Sequence, residues 1–264
     1  MSEREGTSGP PDPTGRRHHW FEDLADHLGS AYLRYSFTKG TEQEVAFLVS
    51  VLGLEAGMRV LDVGCGPGRH AHALGERRIE VLGVDISARF IDLARSGAPE
   101  GVTFERLDAR RLVFDSEFDA AISLCQGAFG LAAGGLTPVA TATEPDGEVL
   151  DGMARAVRPG GRIAVSAFSA YFQLRYLPTG TTFDAGRGVA HERTMIKDEQ
   201  GAEAEADLWT TCFTPRELRL LCARAGLELE HLWSVEPGRY STAEPDIEHP
   251  EHLVIARRPH ASAS

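Results

Sequence analysis

Residues 60–69 read Val-Leu-Asp-Val-Gly-Cys-Gly-Pro-Gly-Arg, with three alternate glycines directly after a short apolar segment. The apolar, β-branched residues are typical of a buried strand. The glycines predict a tight turn after it, because glycine adopts positive φ without strain and leaves the main chain open to a ligand. A helix that begins near Gly68 would point free N–H groups at that ligand. The stretch therefore predicts a strand, a ligand-binding turn and a helix.

The spacing of the glycines distinguishes between two kinds of cofactor. A dinucleotide fingerprint reads Gly-x-Gly-x-x-Gly and places its third glycine beside a pyrophosphate. Here the third glycine, Gly68, comes one position early and is followed by Arg69. This spacing disfavours a dinucleotide. Asp62, two positions before the first glycine, suits a cofactor that carries an amino group and a sulfonium, as S-adenosylmethionine (SAM) does.

Two further apolar runs each end in an acidic residue. In Glu80–Ser87 this residue is Asp85, 17 positions after Gly68, where a carboxylate can accept hydrogen bonds from both ribose hydroxyls. In Val102–Ala109 it is Asp108. The ordered set of three motifs resembles the class I SAM-dependent methyltransferases of small-molecule type, whose first motif reads acidic-x-Gly-x-Gly-x-Gly. Helix capping alone is the other reading of the two aspartates, but such caps rarely come in this register.

The resemblance implies where each part of SAM is bound, with S-adenosylhomocysteine (SAH) as the product. Asp85 and Ile86 would contact the ribose, Asp108 and Ala109 the adenine, and the segment from Leu124 to Gln126 the methionine. A tyrosine from an N-terminal element, Tyr32 or Tyr35, would approach the methionine end. The implied cofactor-binding residues are Tyr35, Asp62, Gly64, Cys65, Gly66, Gly68, Asp85, Ile86, Asp108, Ala109, Leu124, Cys125 and Gln126.

Strand and helix patterns alternate along the chain, which predicts an α/β fold whose parallel sheet is covered on both faces. Phe118–Leu124 and Gly161–Ala167 are the fourth and fifth predicted strands. The resemblance implies a doubly wound, Rossmann-like, mostly parallel sheet of seven strands with an antiparallel last strand. Leu227–Val235 and His252–Arg257 would be the final two strands.

The ends of the chain are polar and lack apolar periodicity, so residues 1–17 are predicted to be disordered and residues 258–264 to be a flexible tail. Residues 18–257 are predicted to form a single SAM-binding domain. Within it, the aromatic-rich residues 18–41 are expected to form a helical lid over the cofactor, or to pack a helix onto the core.

The segment 169–212 is longer than a connection from a strand to a helix needs. Val189–Lys197 and Ala204–Cys212 alternate as strands do and flank a plausible turn, which predicts a β-hairpin insertion. The hairpin would wall the substrate pocket, although it could instead serve dimerisation. The candidate lining residues are Tyr171, Phe172, Tyr176, His191, Trp209 and Tyr240.

The composition of the chain limits the kinds of partner molecule that we expect. The net charge of −12 disfavours a polyanion such as nucleic acid, and no stretch approaches the roughly 20 apolar residues of a membrane span. We therefore expect neither a nucleic acid nor a membrane as a partner. We expect a bacterial protein of the cytoplasm that is a monomer or a homodimer. The four cysteines have no Cys-x-x-Cys spacing, and His70 and His72 point to different sides of a helix, so no metal site is predicted.

Methyl transfer from a sulfonium requires positioning of the acceptor and exclusion of water, and a base only for a protonated acceptor. His191 is the candidate base, with Glu192 next, and Gln126 could orient the acceptor. A covalent role for Cys125 is disfavoured because Leu124 replaces the proline of cysteine-dependent cytosine methyltransferases. The predicted function is methylation of an amine or hydroxyl of a small molecule, such as a bacterial secondary metabolite. The alternatives are SAM-dependent cyclisation and a non-catalytic SAM-binding partner protein.

Overall fold

The computed structural model describes residues 18–125, 127–132 and 145–260. The helices of these residues are α1 Trp20–Leu28, α2 Thr41–Leu52, α3 Arg69–Gly75, α4 Ala88–Arg95, α5 Pro145–Ala156, α6 Ala170–Arg175 and α7 Pro215–Arg224. The strands are β1 Arg59–Val63, β2 Glu80–Asp85, β3 Val102–Arg106, β4 Phe118–Ser123, β5 Val157–Ser169, β6 Thr182–Asp184, β7 Val189–Lys197, β8 Glu203–Phe213, β9 Glu228–Glu236, β10 Arg239–Ala243 and β11 Glu251–Arg257. None of these helices is both long and apolar enough to cross a membrane.

The main sheet has the strand order β10-β9-β11-β5-β4-β1-β2-β3. Strands β1 to β5 pair in parallel with one another, and β11 runs antiparallel between β5 and β9. The α/β fold with an antiparallel last strand is thus confirmed. The expected count of seven strands is wrong, because β10 adds an eighth at the edge. A turn at Pro237 and Gly238, where Gly238 has φ of 76°, lets the chain fold back on β9.

Two apolar layers cover the sheet, because successive side chains of a strand point to opposite faces. On one face, Val60 belongs to a core that includes Leu48 of α2 and Leu74 of α3. On the other face, Leu61 belongs to a core that includes Met153 of α5 and Leu218 of α7. The two layers fix the carboxyl ends of β1, β2 and β4 side by side, which is where ligands bind in open parallel sheets.

Helix α1 packs beneath a hairpin formed by β7 and β8. It begins with a capping box in which the His19 side chain accepts a hydrogen bond from the backbone and Glu22 bonds back to His19 N at 2.9 Å. Leu24 and Leu28 pack against Ile196 of the hairpin. At the hairpin tip, Glu199 accepts hydrogen bonds from Ser30 N at 2.7 Å and from Arg89 at 2.9 Å. These contacts join α1, the hairpin and α4 into one wall.

Candidate active site

The three glycines after β1 form the turn that their spacing predicts. Gly64, Gly66 and Gly68 have φ of 75°, 54° and 85°, values that other residues reach only with strain. The turn is anchored on β2, because the N–H groups of Gly64 and Cys65 donate to Val84 O at 2.8 and 3.0 Å. Cys65 is buried beneath it. The backbone of the turn is thereby held open to the carboxyl ends of the strands.

A second backbone segment lies directly against this turn. A Cβ atom added to Gly64 would fall on the backbone of Gly127, and one added to Gly127 would fall on Gly64 O. Gly127 follows the end of β4, so the two loops that border the expected methionine site meet through glycines. Neither position can carry a side chain without moving the main chain.

Asp85, at the end of β2, bonds to the glycine turn. Its Oδ2 accepts from Gly66 N at 2.9 Å, and its Oδ1 accepts from Ser87 N at 2.8 Å. Burial raises the pKa of Asp85 to about 6, although the two N–H groups act to lower it. The carboxylate therefore holds the turn in place and lies at the wall of a cleft.

That cleft contains about 410 Å³ of space not occupied by atoms, including the part open to solvent. The ends of β1, β2 and β3, helix α1 and the segment after β4 all contribute to its walls. Its lining residues are His19, Phe21, Gly64, Val84, Asp85, Ile86, Leu107, Asp108, Ala109, Arg110, Gly127, Ala128, Leu131, Ala132 and Val149. The mixture of apolar walls and a few acidic groups suits a nucleoside.

Helix α1 closes one side of the cleft with His19 and Phe21. Burial lowers the pKa of His19 to about 4, helped by the charge of Arg110, so the imidazole is neutral at pH 7. The sequence predicts a lid in this region but does not single out these two residues. The sequence signal for this side of the cleft is a histidine at the capping position of the aromatic-rich helix.

Asp108 and Ala109, which the resemblance assigns to the adenine, line the cleft as well. Both Asp108 oxygens are engaged by Arg110, Oδ1 with Nε at 2.9 Å and Oδ2 with Nη2 at 2.6 Å. Burial alone would raise the pKa of Asp108, but the hydrogen bonds and charge of Arg110 hold it below its ordinary value. Asp108 is therefore an ionised acceptor whose orientation is fixed by a bidentate pair.

Asp62 of β1 lies fully buried behind the glycine turn. Its Oδ2 has no hydrogen-bond partner among the described residues. Burial raises the pKa of Asp62 to about 7, with the charge of Arg69 lowering it and that of Asp85 raising it. A buried carboxyl oxygen without a partner fits a ligand that brings an ammonium group, and the amino group of SAM is such a ligand.

We expect Asp62→Asn to stabilise the ligand-free protein at pH 8 and to have little effect near pH 4. Folding raises the pKa of Asp62 from 3.8 to about 7 because burial disfavours the ionised carboxylate. The wild-type protein therefore loses stability as the pH rises from 3.8 to 7, whereas the uncharged asparagine does not. The full cost is on the order of 4 kcal/mol. Urea unfolding of both proteins from pH 4 to 8 measures it, and an equal difference at both ends would contradict the assignment. The same variant should bind SAM more weakly.

A buried polar cluster lies on the other side of the turn, and the sequence patterns do not point to it. Glu44 of α2 accepts hydrogen bonds from Arg69 at 2.6 Å and from His70 at 2.7 Å, both through Oε2. Arg69 also donates to Cys125 Sγ at 2.7 Å. One signal is present in the sequence: Glu44 occupies a core position of α2, four residues before the buried Leu48. A second sequence signal is Arg69, the arginine directly after the third glycine.

Ligand atoms of Glu44, His70 and Cys125 lie within 4.8 Å of one another. Arg69, however, bonds to both Glu44 and Cys125, so a positive charge already occupies the place where a cation would sit. Burial also raises the pKa of the Cys125 thiol well above its ordinary value, which leaves it protonated. The cluster is therefore better suited to an anionic ligand than to a metal ion.

The segment after β4 lies beside this cluster. Leu124 is buried, and Cys125 has φ of 49°, a left-handed conformation that is rare outside glycine. Cys125 N donates to Ser166 Oγ of β5 at 2.8 Å, which holds the residue in place. Gln126, predicted to orient the acceptor and to contact the cofactor, lies outside the described residues.

Tyr32 rather than Tyr35 faces the glycine turn. Tyr32 is 4.9 Å from the Phe90 ring and would be 3.9 Å from a Cβ on Gly66. Tyr35 is 37% exposed and stacks on Phe37 at 5.7 Å. Both lie in the turns that follow α1, and spacing alone does not tell which of them faces inward.

His191 of β7 forms a pair with the hairpin partner strand. Its Nε2 lies 2.8 Å from Asp207 Oδ1, and its ring stacks on Trp209 at 4.9 Å. Trp209 in turn contacts Trp20 of α1 at 5.4 Å, but none of these three residues is among those that line the cleft. Among the other predicted lining residues, Tyr240 is buried, Phe172 is partly buried, and Tyr171 and Tyr176 are exposed.

Comparison with known proteins shows what this site and its fold are similar to. The model of a family described as "Methyltransferase domain" matches residues 60–161. The chain is similar to 27-O-demethylrifamycin SV methyltransferase of Amycolatopsis mediterranei (strain S699), with 29% identity over 69% of this chain and 66% of the relative. It is also similar to an S-adenosyl-L-methionine-dependent Diels-Alderase of Neonectria sp. (strain DH2), with 25% identity over 63% of this chain and 59% of the relative. The matches thus span slightly less than two thirds of each relative's length.

Among solved structures, the CcbJ methyltransferase from Streptomyces caelestis superposes with a TM-score of 0.70. The alignment covers 90% of this chain and 96% of CcbJ at 19% identity. At this identity the likeness concerns the fold. It shows that the order of strands and helices around the cleft is shared with a methyltransferase.

Proposed function

Because the chain belongs to the class I SAM-dependent methyltransferases, we propose that it transfers the methyl group of SAM to an amine or hydroxyl of a small molecule, in bacterial secondary metabolism. The observation that carries the proposal is the cleft beside the glycine turn, with Asp85 at the ribose position and the orphaned Asp62 oxygen behind it. One relative is named for the methylation of 27-O-demethylrifamycin SV, a small molecule, and the net charge of −12 also favours a small molecule over nucleic acid.

The residues of the cleft fit SAM part by part. His19, Phe21 and Asp108 would hold the adenine, Asp85 the ribose, and Asp62 the amino group. When bound, SAM supplies an electrophilic methyl group. The protein then has to hold the acceptor in line with it and to exclude water. His19 and Phe21, the residues at the start of α1 that line the cleft, would contribute to the second task.

His191 is the proposed base for an acceptor that arrives protonated. Asp207 lies 2.8 Å from its Nε2 and would stabilise the charged imidazole after proton transfer. The neighbouring Arg193 lies 3.0 Å from the same Asp207 oxygen and shares this carboxylate. This pairing is the arrangement by which a carboxylate orients a catalytic histidine.

We expect His191→Ala to lower kcat by about 100-fold through loss of the base, with SAM affinity within about two-fold of the wild type. The matched control is His249→Ala, since His249 forms a similar pair with Asp246 at 2.8 Å and has no assigned role. Steady-state kinetics across pH 6 to 9 measures the effect. A kcat unchanged by His191→Ala would remove His191 from the mechanism.

A second function is supported by one of the relatives. The similarity to a SAM-dependent Diels-Alderase means that a related chain is named for a cyclisation that transfers no methyl group. Product analysis separates the two functions. Methyl transfer releases one SAH for each product, whereas a cyclase converts its substrate without SAH formation.

Calorimetric titration with SAM, SAH and NADH tests the proposal first. We expect micromolar binding of SAM and SAH and no binding of NADH. A screen of amines and phenols with SAH release as the readout then finds the acceptor class. Binding of NADH without binding of SAM would overturn the assignment, because the glycine spacing would then have been misread.

A further inference from the structure

Half of the exposed large apolar side chains of the described residues lie in one region of the surface. They are Tyr171 and Leu174 of α6, Tyr176 and Leu177 directly after it, and Ile247 between β10 and β11, each between 38% and 53% exposed. Tyr171 and Leu174 are three residues apart on a helix and therefore share a face. Single exposed apolar side chains need no explanation, but a concentration of them marks an interaction site. We call these five residues the α6 patch.

Polar contacts hold the two parts of the α6 patch together. The Tyr176 hydroxyl donates to Glu248 Oε2 at 2.5 Å, and Arg175 Nη2 lies 3.2 Å from Glu248 Oε1. The segment that carries Ile247 and Glu248 is itself attached to the sheet, because Asp246 N donates to Ser234 Oγ of β9 at 3.0 Å. The patch is thus a preformed surface, and a preformed surface loses little conformational entropy on binding.

The α6 patch is separate from the cofactor site. None of its five residues is among those that line the cleft. Helix α6 follows β5, which lies two strands away from β1 and its glycine turn in the sheet. A cofactor in the cleft therefore leaves these side chains exposed, and any cover for them comes from a different partner.

The charges of the chain favour one kind of partner. A net charge of −12 repels anionic membranes and nucleic acids, and it keeps copies of the chain apart unless they meet at a face where the charges are balanced. At the α6 patch, Arg175 and Glu248 have opposite charges and are 47% and 53% exposed. In a twofold interface, residue i contacts residue j of the other copy and j contacts i. The patch is therefore complementary to a second copy of itself, both in charge and in apolar character.

We propose that the α6 patch is the interface of a homodimer whose two copies are related by a twofold axis. The apolar side chains of both copies pack at its centre, where the two tyrosines are of the residue type that contributes most to binding energy. At its edge, Arg175 pairs with Glu248 of the other copy. No residue that lines the cleft belongs to the patch, so each copy keeps its own cofactor site.

Sedimentation velocity over a range of micromolar concentrations tests the proposal. We expect the wild-type chain to have twice the mass of a monomer. Leu174→Asp should raise the dissociation constant of the dimer by about 30-fold or more, the effect of losing a central interface residue. Leu220→Asp is the matched control, since Leu220 of α7 is 59% exposed outside the patch, and it should dimerise as the wild type does. A monomeric wild type, or equal dissociation constants for the two variants, overturns the proposal.

A pair of charge variants tests the twofold arrangement. Arg175→Glu places two negative charges at the edge of the patch, and Glu248→Arg places two positive charges there. Each variant alone should be monomeric, because like charges meet across the axis. An equimolar mixture should regain the mass of a dimer, because opposite charges then meet, and a folding defect cannot produce this recovery. Dimers of either variant alone, or a mixture that stays monomeric, overturn the proposed interface.

Two further measurements distinguish a second copy from other uses of the α6 patch. Calorimetry should give Leu174→Asp the affinity of the wild type for SAH. A loss of SAH affinity in this variant but not in Leu220→Asp would connect the patch to the cofactor site and overturn the proposal. Binding of a monomeric wild type to vesicles of anionic lipid would overturn it as well, since a membrane would then be the partner.

Discussion

Replacing Glu44 with leucine should lower the free energy of unfolding by about 3–5 kcal/mol at pH 7, because it leaves a buried charge without its partner. The leucine is similar in size but accepts no hydrogen bond. Arg69, His70 and Gly238 N would each lose an acceptor in a place that water does not reach. Urea unfolding followed by circular dichroism measures the loss.

Glu42→Gln is the matched control for this experiment. Glu42 lies on the same helix and also pairs with an arginine, Arg77 at 2.8 Å, but its side chain is 69% exposed. Exposed pairs contribute about 0–1 kcal/mol, so the control should stay within that range. Similar losses in both variants would show that burial of the Glu44 cluster has been overestimated.

The stabilising effect of Glu44 should also depend on pH in a defined direction. Burial would raise the pKa of Glu44, but His70 and Arg69 lower it from 4.5 to about 2. The contribution of the carboxylate is therefore complete above pH 4.5 and is lost as the pH falls toward 2. The difference between wild type and Glu44→Leu should be full at pH 7 and smaller at pH 3.

Replacing Gly64 with alanine should weaken SAM binding by about 100-fold or more, since displacing a positioned backbone by 1 Å has effects of this size. The new Cβ would fall on the backbone of Gly127, and one of the two loops must move. The left-handed φ of 75° adds strain of about 1–2 kcal/mol. Calorimetric titration with SAM measures the affinity.

The variant Gly57→Ala separates the effect of backbone strain from the effect of the collision with Gly127. Gly57 also has a left-handed φ, 85°, but nothing lies within 4 Å of an added Cβ. This variant carries the conformational strain without the collision, so it should lose stability by about the same strain and keep the affinity of the wild type for SAM. If Gly64→Ala bound SAM as tightly as Gly57→Ala does, the contact between the two loops would not matter for the cofactor.

The sequence predicts those features that depend on local chemistry. Three glycines in alternation require three positive φ angles, and the structure has them at Gly64, Gly66 and Gly68. A carboxylate at the end of β2 lies one strand away from the turn in any parallel sheet, so the position of Asp85 follows once the strands are recognised. The resemblance to the class I methyltransferases depends on these same local motifs.

The features that escaped prediction depend on contacts between distant parts of the chain. Glu44 and Gly238 are far apart in sequence, and no periodicity links them. The edge strand β10 requires knowing that the chain turns back at Gly238. Likewise, the choice between Tyr32 and Tyr35 depends on Phe90 of α4, which packs against the first of them.

The place of β11 in the sheet also affects how the protein is made. This strand comes later in the chain than any other described strand, yet it pairs on both sides, with β5 and with β9. During translation, β9 cannot join the parallel strands until residues 251–257 have left the ribosome, because β11 lies between β9 and β5. Until then, β5 and β9 each lack a partner on the edge that β11 occupies, and a newly made chain depends on residues 251–257 to cover these edges and so to limit aggregation.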